Sequence, residues 1–302
     1  MNCLNANATT VAAHKMTRVT VAYSADERMA MPLAASIASA VANFQAPDTF
    51  LDVVVIDAGL SPGSVGRILP LSADASRFRF RIIAPPTIST EGIDLRRYGV
   101  AALYRLLVPQ LLPDCRRAIY LDADTIVEQD LCELWEEARG EAALWARQDW
   151  MFPVMAHPYL EERQQWFGMQ PDDPYFNSGV LVLDLDLWRD KDLGNQVLSF
   201  LRANSAHCSW CDQDALNAVL RGRWKPLSAR WNRYPSEISR IEAAGIIHYI
   251  GAEAKPWLAQ AEANLANRRF LYYLQTTGWA TSPDPGRRSA ADRHKIADQE
   301  TF

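Results

Sequence analysis

The sequence predicts an α/β fold, a Rossmann-like mixed but mostly parallel sheet flanked by helices. Three observations carry that expectation. Strand-like and helix-like segments alternate up to Asp130. Leu51-Asp-Val-Val-Val-Ile56 is an almost continuous apolar run, which suits a strand covered on both faces. Ala118-Ile-Tyr-Leu121 runs straight into Asp122-Ala123-Asp124, and open α/β sheets bind ligands at the carboxyl ends of their strands.

The elements follow in order. Arg18–Tyr23 reads as the first strand. In Met29–Pro47, Leu33, Ile37, Val41 and Phe44 recur at helical spacing. The run nears the length of a membrane span, but its polar residues and Pro32 make it a helix with one buried face. Leu51–Ile56 is the second strand, and Ser61-Pro62 supplies an N-cap and a proline at N1 of the next helix. Arg77–Ile82 alternates as a third strand. Val100–Leu112 reads as a helix ended by Pro113, with Leu103, Leu106 and Leu107 on one face. Ala118–Leu121 is the fourth strand. Beyond Asp130, Leu144–Gln148, Ser178–Leu185 and Ile246–Ile250 read as strands, and Asp186–Arg202 and Asp212–Leu220 as helices. Trp257–Leu274 reads as an aromatic-rich helical extension, and the Ser/Pro/Asp/Gly/Arg-rich stretch from Thr276 as a disordered tail. The expected domains are a flexible tail over 1–17, one catalytic domain over 18–257, and the C-terminal extension and tail over 258–302.

The 302 residues carry a formal net charge of −5, which argues against a general nucleic-acid surface. Any phosphate must be held by a local site. The N-terminus lacks the apolar core of a signal peptide. Five cysteines form no disulfide framework, and Cys208-Ser-Trp-Cys211 lacks the second pair that a zinc site needs, so reduced thiols in the cytoplasm are expected.

Two carboxylates one residue apart at a strand end can share one hard cation, Mg²⁺ or Mn²⁺, which neutralises a diphosphate. Alone, Asp-x-Asp reads more readily as acidic residues that start a turn or cap a helix. In His248-Tyr-Ile-Gly251-Ala-Glu-Ala-Lys255-Pro-Trp257, an imidazole suits Mn²⁺, a glycine admits close backbone approach and Lys255 offers a point charge to phosphate. A packed histidine before a turn is the plain alternative. Asn177, Asp212 and Gln213 stand at strand–helix junctions where they can bind sugar hydroxyls or serve as turn and cap residues.

Taken in this order, the motifs resemble glycosyltransferase family 8, retaining GT-A enzymes that use nucleotide sugars. The resemblance runs from about Arg18 to Trp257. It rests on Tyr23-Ser24-Ala-Asp26-Glu27-Arg28, Leu103-Tyr104-Arg105, Asp122-Ala123-Asp124, Phe176-Asn177-Ser-Gly179, Asp212-Gln213-Asp214, Arg230-Trp231-Asn232 and the His248–Trp257 stretch. Two departures stand out. Three residues separate Gly251 from Lys255 where the family commonly has two, and Arg28 stands where asparagine is commoner.

The resemblance implies Mn²⁺, with Mg²⁺ as the alternative, on Asp122, Asp124 and His248. It implies a UDP-glucose or UDP-galactose donor contacted by Ser24, Asp26, Arg28, Tyr104, Arg105, Asp122, Ala123, Asn177, Gly251 and Lys255. Gln213, Asp212 and Asp149 would stand at the reacting sugar, with front-face attack by the acceptor hydroxyl and an α-linked product. The acceptor would be a glycan, a lipid-linked sugar or another hydroxyl. Peripheral contact at the inner membrane face, through Arg268–Leu274, stays open, with plain packing of a C-terminal helix favoured. So does an anionic acceptor path along the basic stretch Arg221–Arg240, for which a solvated face is favoured. Two other readings compete. Leu121-Asp-Ala-Asp-Thr125 also fits a haloacid-dehalogenase-like phosphatase with Asp122 as nucleophile, although that motif normally lies near the chain start. A nucleotide-sugar-binding protein without turnover is the other.

Overall fold

The computed structural model describes residues 17–69, 74–96, 98–251, 255–257 and 264–279. The expected N-terminal tail, most of the expected C-terminal tail and the insertion Ala252–Ala254 lie outside the described residues. Strand β1 (Thr17–Ala25) is followed by a 3-10 turn (Glu27–Met29) and α1 (Ala30–Ala42). Next come β2 (Thr49–Asp57), α2 (Pro62–Ile68) and β3 (Phe78–Ile83). Ser61 caps α2, its hydroxyl accepting from Ser64 N. A 3-10 helix (Val100–Leu107) leads into α3 (Val108–Leu111), β4 (Arg117–Asp122), β5 (Thr125–Val127), α4 (Leu131–Glu137) and β6 (Leu144–Gln148). Two single turns, α5 (Pro158–Glu161) and α6 (Gln164–Phe167), precede β7 (Phe176–Asp184). Then come α7 (Leu185–Asp190), α8 (Leu193–Ala203), α9 (Asp212–Val219), β8 (Trp224–Pro226), β9 (Ile246–His248) and α10 (Leu265–Leu274), with short 3-10 turns between them.

The main sheet has the order β3-β2-β1-β4-β7-β6-β8. Only β7 runs against its neighbours; the other pairings are parallel. Strand β5 pairs antiparallel with β9 as a separate two-stranded sheet. The sheet is covered on both faces, as the apolar run in β2 requires. Val54, Ile56, Tyr120 and Leu181 pack under the 3-10 helix, α7, α8 and α9. Val53, Val55, Ile119 and Val182 pack under α1 and α4.

Four expectations change. The segment from Val100 winds as a 3-10 helix and turns α only at Val108; Arg105 O accepts from Val108 N, since Pro109 has no N–H to offer it. The expected helix Asp186–Arg202 is two helices, broken at Asp192, whose backbone is left-handed (φ 50°). The break lets α8 lie close on the 3-10 helix: a Cβ at Gly194 would stand 2.7 Å from the Leu106 carbonyl oxygen. Ile246–Ile250 forms a strand only to His248, where pairing with β5 ends. Residues 277–279, the described part of the chain beyond Thr276, pack where a tail was expected. Thr277 and Trp279 are buried, and the Arg67 guanidinium lies 5.4 Å from the Trp279 ring. No helix among the described residues is long and apolar enough to cross a membrane.

Candidate functional site

Topology gathers the polar motifs at one edge of the sheet. Strands β1 and β4 run parallel in register, with Ser24 opposite Asp122, so their carboxyl ends coincide. Strand β7 is antiparallel to β4 with Leu121 opposite Val180, so Asn177, Ser178 and Gly179 at its start reach the same edge. Strand β6 runs parallel to β4 and delivers Asp149 there, with Gln148 opposite Phe176. The β5–β9 pair folds His248 back across Thr125.

Asp122, Asp124 and His248 meet with their ligand atoms within 4.8 Å of one another. His248 Nε2 lies 3.3 Å from Asp124 Oδ1 and 3.7 Å from Asp122 Oδ2. The imidazole is 4 % exposed. It rests against Gly179, where an added Cβ would lie 1.9 Å from His248 Cε1. The clash falls on the ring itself, which is buried and held at Nδ1 by Asn232, so a methyl group fits only if the imidazole shifts. Replacing Gly179 by alanine should therefore displace His248 and weaken divalent-metal binding roughly 10-fold or more, a loss that calorimetry with Mn²⁺ measures. Unchanged affinity would mean that the ring has another seat.

Arg105 is the buried hub, 5 % exposed. One terminal nitrogen donates to Asp122 Oδ1 (2.8 Å), the other to the Ser178 carbonyl (2.6 Å). Its Nε stands 3.0 Å from Asp212 Oδ2, but its N–H points to the Ala102 carbonyl, so Asp212 is charge-paired without a hydrogen bond. Burial pushes the Asp212 carboxyl up to about 6, against the pull of Arg105. Burial also pushes Asp214 up to about 6, while Tyr175 donates to it at 2.6 Å. Asp124 goes the other way. Its burial acts to raise it, yet Lys255 and His248 together hold it well below the usual carboxylate range. Lys255 Nζ donates to Asp124 Oδ2.

Behind these groups lies a net of amides. Asn177 Nδ2 donates to Gln213 Oε1 (3.1 Å) and reaches Asp149 Oδ2 (3.4 Å). Gln213 Oε1 also accepts from Ser178 N (3.1 Å), and its Nε2 donates to the Tyr175 hydroxyl (3.3 Å). Asp149 accepts from the backbone of Met151 and Phe152 and from the Tyr234 hydroxyl (3.1 Å). Asn232, Ser178, Tyr175 and Tyr234 escaped the sequence-level site assignments. Asn232 stood in a recognised stretch, but nothing local to it shows that its amide meets the ring of His248.

The donor set fits a divalent cation: two carboxylates and one imidazole, with cationic Arg105 and Lys255 already drawn to the acids. Five buried side-chain polar atoms make no hydrogen bond among the described residues, and two of them lie at this edge, Ser24 Oγ at the end of β1 and Asp212 Oδ2. Buried atoms of this kind call for a partner, and both sit where a polar ligand at this edge can supply one.

Other expected residues are placed differently. Asp26 and Arg28 pair with each other, at 2.8 Å and 3.0 Å, while Asp26 caps the turn after β1. Tyr104 is packed in the core beneath the sheet, where it fixes the helix that aims Arg105. Ala123 is buried between the two aspartates. Gly251 has φ +83°, a backbone that favours glycine. Cys208 and Cys211 are buried free thiols, and burial pushes Cys211 up to about 12. In the basic stretch, Arg221 pairs with Asp173 and Arg230 with Glu133, so part of its charge is spent internally.

A mixed sheet with a two-aspartate, one-histidine group at its edge is the GT-A architecture of nucleotide-sugar transferases. The chain belongs to glycosyl transferase family 8, whose model matches residues 20–261. It is 26% identical over 286 residues to General stress protein A of Bacillus subtilis (strain 168), covering 86% of this chain and 94% of that one. It is 28% identical over 257 residues to the lipopolysaccharide 1,2-glucosyltransferase of Escherichia coli (strain K12), covering 78% and 72%. Among solved structures it resembles the galactosyltransferase LgtC in complex with donor and acceptor sugar analogues. The TM-score is 0.74 at 25% identity, over 89% of this chain and 99% of that one. The protein is thus a glycosyltransferase of the hexosyltransferase type, and the phosphatase reading of Asp122 gives way to this one.

Proposed function

We propose that the protein transfers glucose or galactose from a UDP-sugar to an acceptor hydroxyl, with retention and an α-linked product, in glycan or lipopolysaccharide biosynthesis. The convergence of Asp122, Asp124 and His248 beside Arg105 and Lys255 is the observation that carries this reading. The three ligands would hold Mn²⁺, or Mg²⁺ in its place. Held there, such an ion would supply Lewis-acid stabilisation to the departing diphosphate. Lys255, released from Asp124, places a second positive charge on that leaving group. Asp26 accepts from the uracil once it parts from Arg28. Arg105, Asp149, Asn177 and Asp212 orient the sugar, with the free Asp212 Oδ2 as acceptor for one of its hydroxyls. Gln213 would face the anomeric carbon. Its amide oxygen is held by donors from Asn177 and Ser178, which supports front-face attack over a glutamine nucleophile.

The relatives support a lipopolysaccharide or other glycan acceptor, since one is a lipopolysaccharide glucosyltransferase and another structure is a galactosyltransferase with an acceptor analogue. Free thiols support a cytoplasmic setting. Leu271 and Tyr272, exposed on α10, offer a contact to a membrane surface. We read residues 18–257 as the catalytic domain and α10 as an extension clamped onto it by Arg269–Glu128 and Asn43–Tyr273. A panel of UDP-glucose, UDP-galactose and UDP-N-acetylhexosamines with Mn²⁺, read as UDP release, tests the donor. Turnover of one hexose donor above the rest is expected, and selectivity for an N-acetylhexosamine or a non-UDP donor would overturn the assignment.

A further inference from the structure

We propose that Asn232 is a positioning residue that fixes the tautomer of His248 and ties the metal-ligand group to the amide of Gln213. The inference rests on the reading of Asp122, Asp124 and His248 as metal ligands.

Amide ends and imidazole tautomers are decided by their partners. Here two backbone N–H groups, which can only donate, decide all of them. Gly179 N lies 3.0 Å from one end of the Asn177 amide, so that end is oxygen. Ser178 N lies 3.1 Å from one end of the Gln213 amide, so that end is oxygen too. The nitrogen end of Asn177 then donates to Gln213 Oε1 at 3.1 Å, which agrees with both assignments. Asn177 Oδ1 also meets the Asn232 amide at 2.9 Å, and two oxygens cannot face each other there, so that end of Asn232 is nitrogen. Its other end is oxygen, 2.9 Å from His248 Nδ1. An amide oxygen only accepts, so Nδ1 carries a proton, and in the neutral ring that a metal requires Nε2 keeps its lone pair. It is Nε2 that faces Asp124 and Asp122. The backbone of β7 thus sets the ligating nitrogen through two amides.

Asn232 is held for this task. It is fully buried, so water does not stand in for either partner. Its carbonyl accepts from Arg147, which is paired with Glu237 at 2.7 Å. Trp231 beside it is wedged against Gly245, where an added Cβ would lie 2.5 Å from the indole. The ring–amide bond orients a metal-ligating histidine, and the second bond carries that orientation to the residues around the sugar.

Two variants separate the two bonds. Asn232→Leu removes both. Asn232→Asp keeps an acceptor for His248 Nδ1–H but turns an acceptor toward Asn177 Oδ1. Mn²⁺ affinity is read by the electron paramagnetic resonance of free Mn²⁺, and UDP-sugar hydrolysis gives kcat and donor KM. Asn232→Leu should weaken Mn²⁺ binding about 10–100-fold. Asn232→Asp should bind Mn²⁺ about as tightly as wild type while its kcat falls about tenfold. A residue needed only for packing would lower both quantities together in both variants. Wild-type Mn²⁺ affinity in Asn232→Leu, or parallel loss of both in Asn232→Asp, overturns the proposal. If Asn232→Leu does not fold, the split in Asn232→Asp decides alone. Failure of the wild type itself to bind Mn²⁺ is a different result: it removes the metal reading on which this one stands.

Discussion

Asp124→Ala should abolish transfer while leaving the fold intact. In the proposed site the side chain would supply one of three ligand atoms for the cation, and it anchors Lys255. A metal ion stabilises leaving-group charge by several kcal/mol, so its loss predicts a fall of roughly 10³-fold or more in kcat. Some stability should be lost with it, because Lys255 and His248 hold the Asp124 carboxyl well below the usual carboxylate range and so favour the fold at neutral pH. Paired Mn²⁺ titration and UDP-release assays check this. A variant that retains more than about a tenth of wild-type turnover places the metal elsewhere.

Arg105→Ala should be the most damaging single change to the fold as well as to activity. It strands Asp122 and buried Asp212, and breaking a buried pair by removing one partner costs about 3–5 kcal/mol. Lysine should not rescue it. One ammonium cannot serve Asp122, the Ser178 and Ala102 carbonyls and the charge of Asp212 at once. The pH dependence has a definite sign. Burial pushes the Asp212 carboxyl up to about 6 in the fold, above the ordinary aspartate value. The folded state therefore binds the proton more tightly. Its contribution to stability is full below about pH 4 and is lost as pH rises through about 6. Without Arg105 the folded value climbs further, so the decline should extend to higher pH. Denaturant melts of wild type and variant between pH 4 and 8 read this directly; parallel curves would show that Arg105 does not hold Asp212.

The metal-ligand group was legible because each member carries donor chemistry at a strand end: Asp122 and Asp124 after β4, His248 at the end of β9. What brings them together is the antiparallel pairing of β5 with β9, and no local pattern marks a three-residue strand such as Thr125–Val127. The main sheet was legible from apolar runs and alternation. The 3-10 winding before Pro109 and the break at Asp192 were not, since hydrophobic spacing continues through both. Asp26 and Arg28 illustrate another limit. Their types suit a nucleotide, but at two residues apart they satisfy each other first. Asn232 and Tyr234 act on other side chains, His248 and Asp149, and a residue whose partner is a distant side chain leaves no mark in its own neighbourhood.

UDP release from UDP-glucose and UDP-galactose, measured on the full chain with Mn²⁺ and again after chelation, bears most directly on the site assembled here. A metal-dependent glycosyltransferase turns over one of these donors with Mn²⁺ and stops when the ion is removed. Equal turnover before and after chelation, or binding of both donors with no UDP released to water or acceptor, would contradict it.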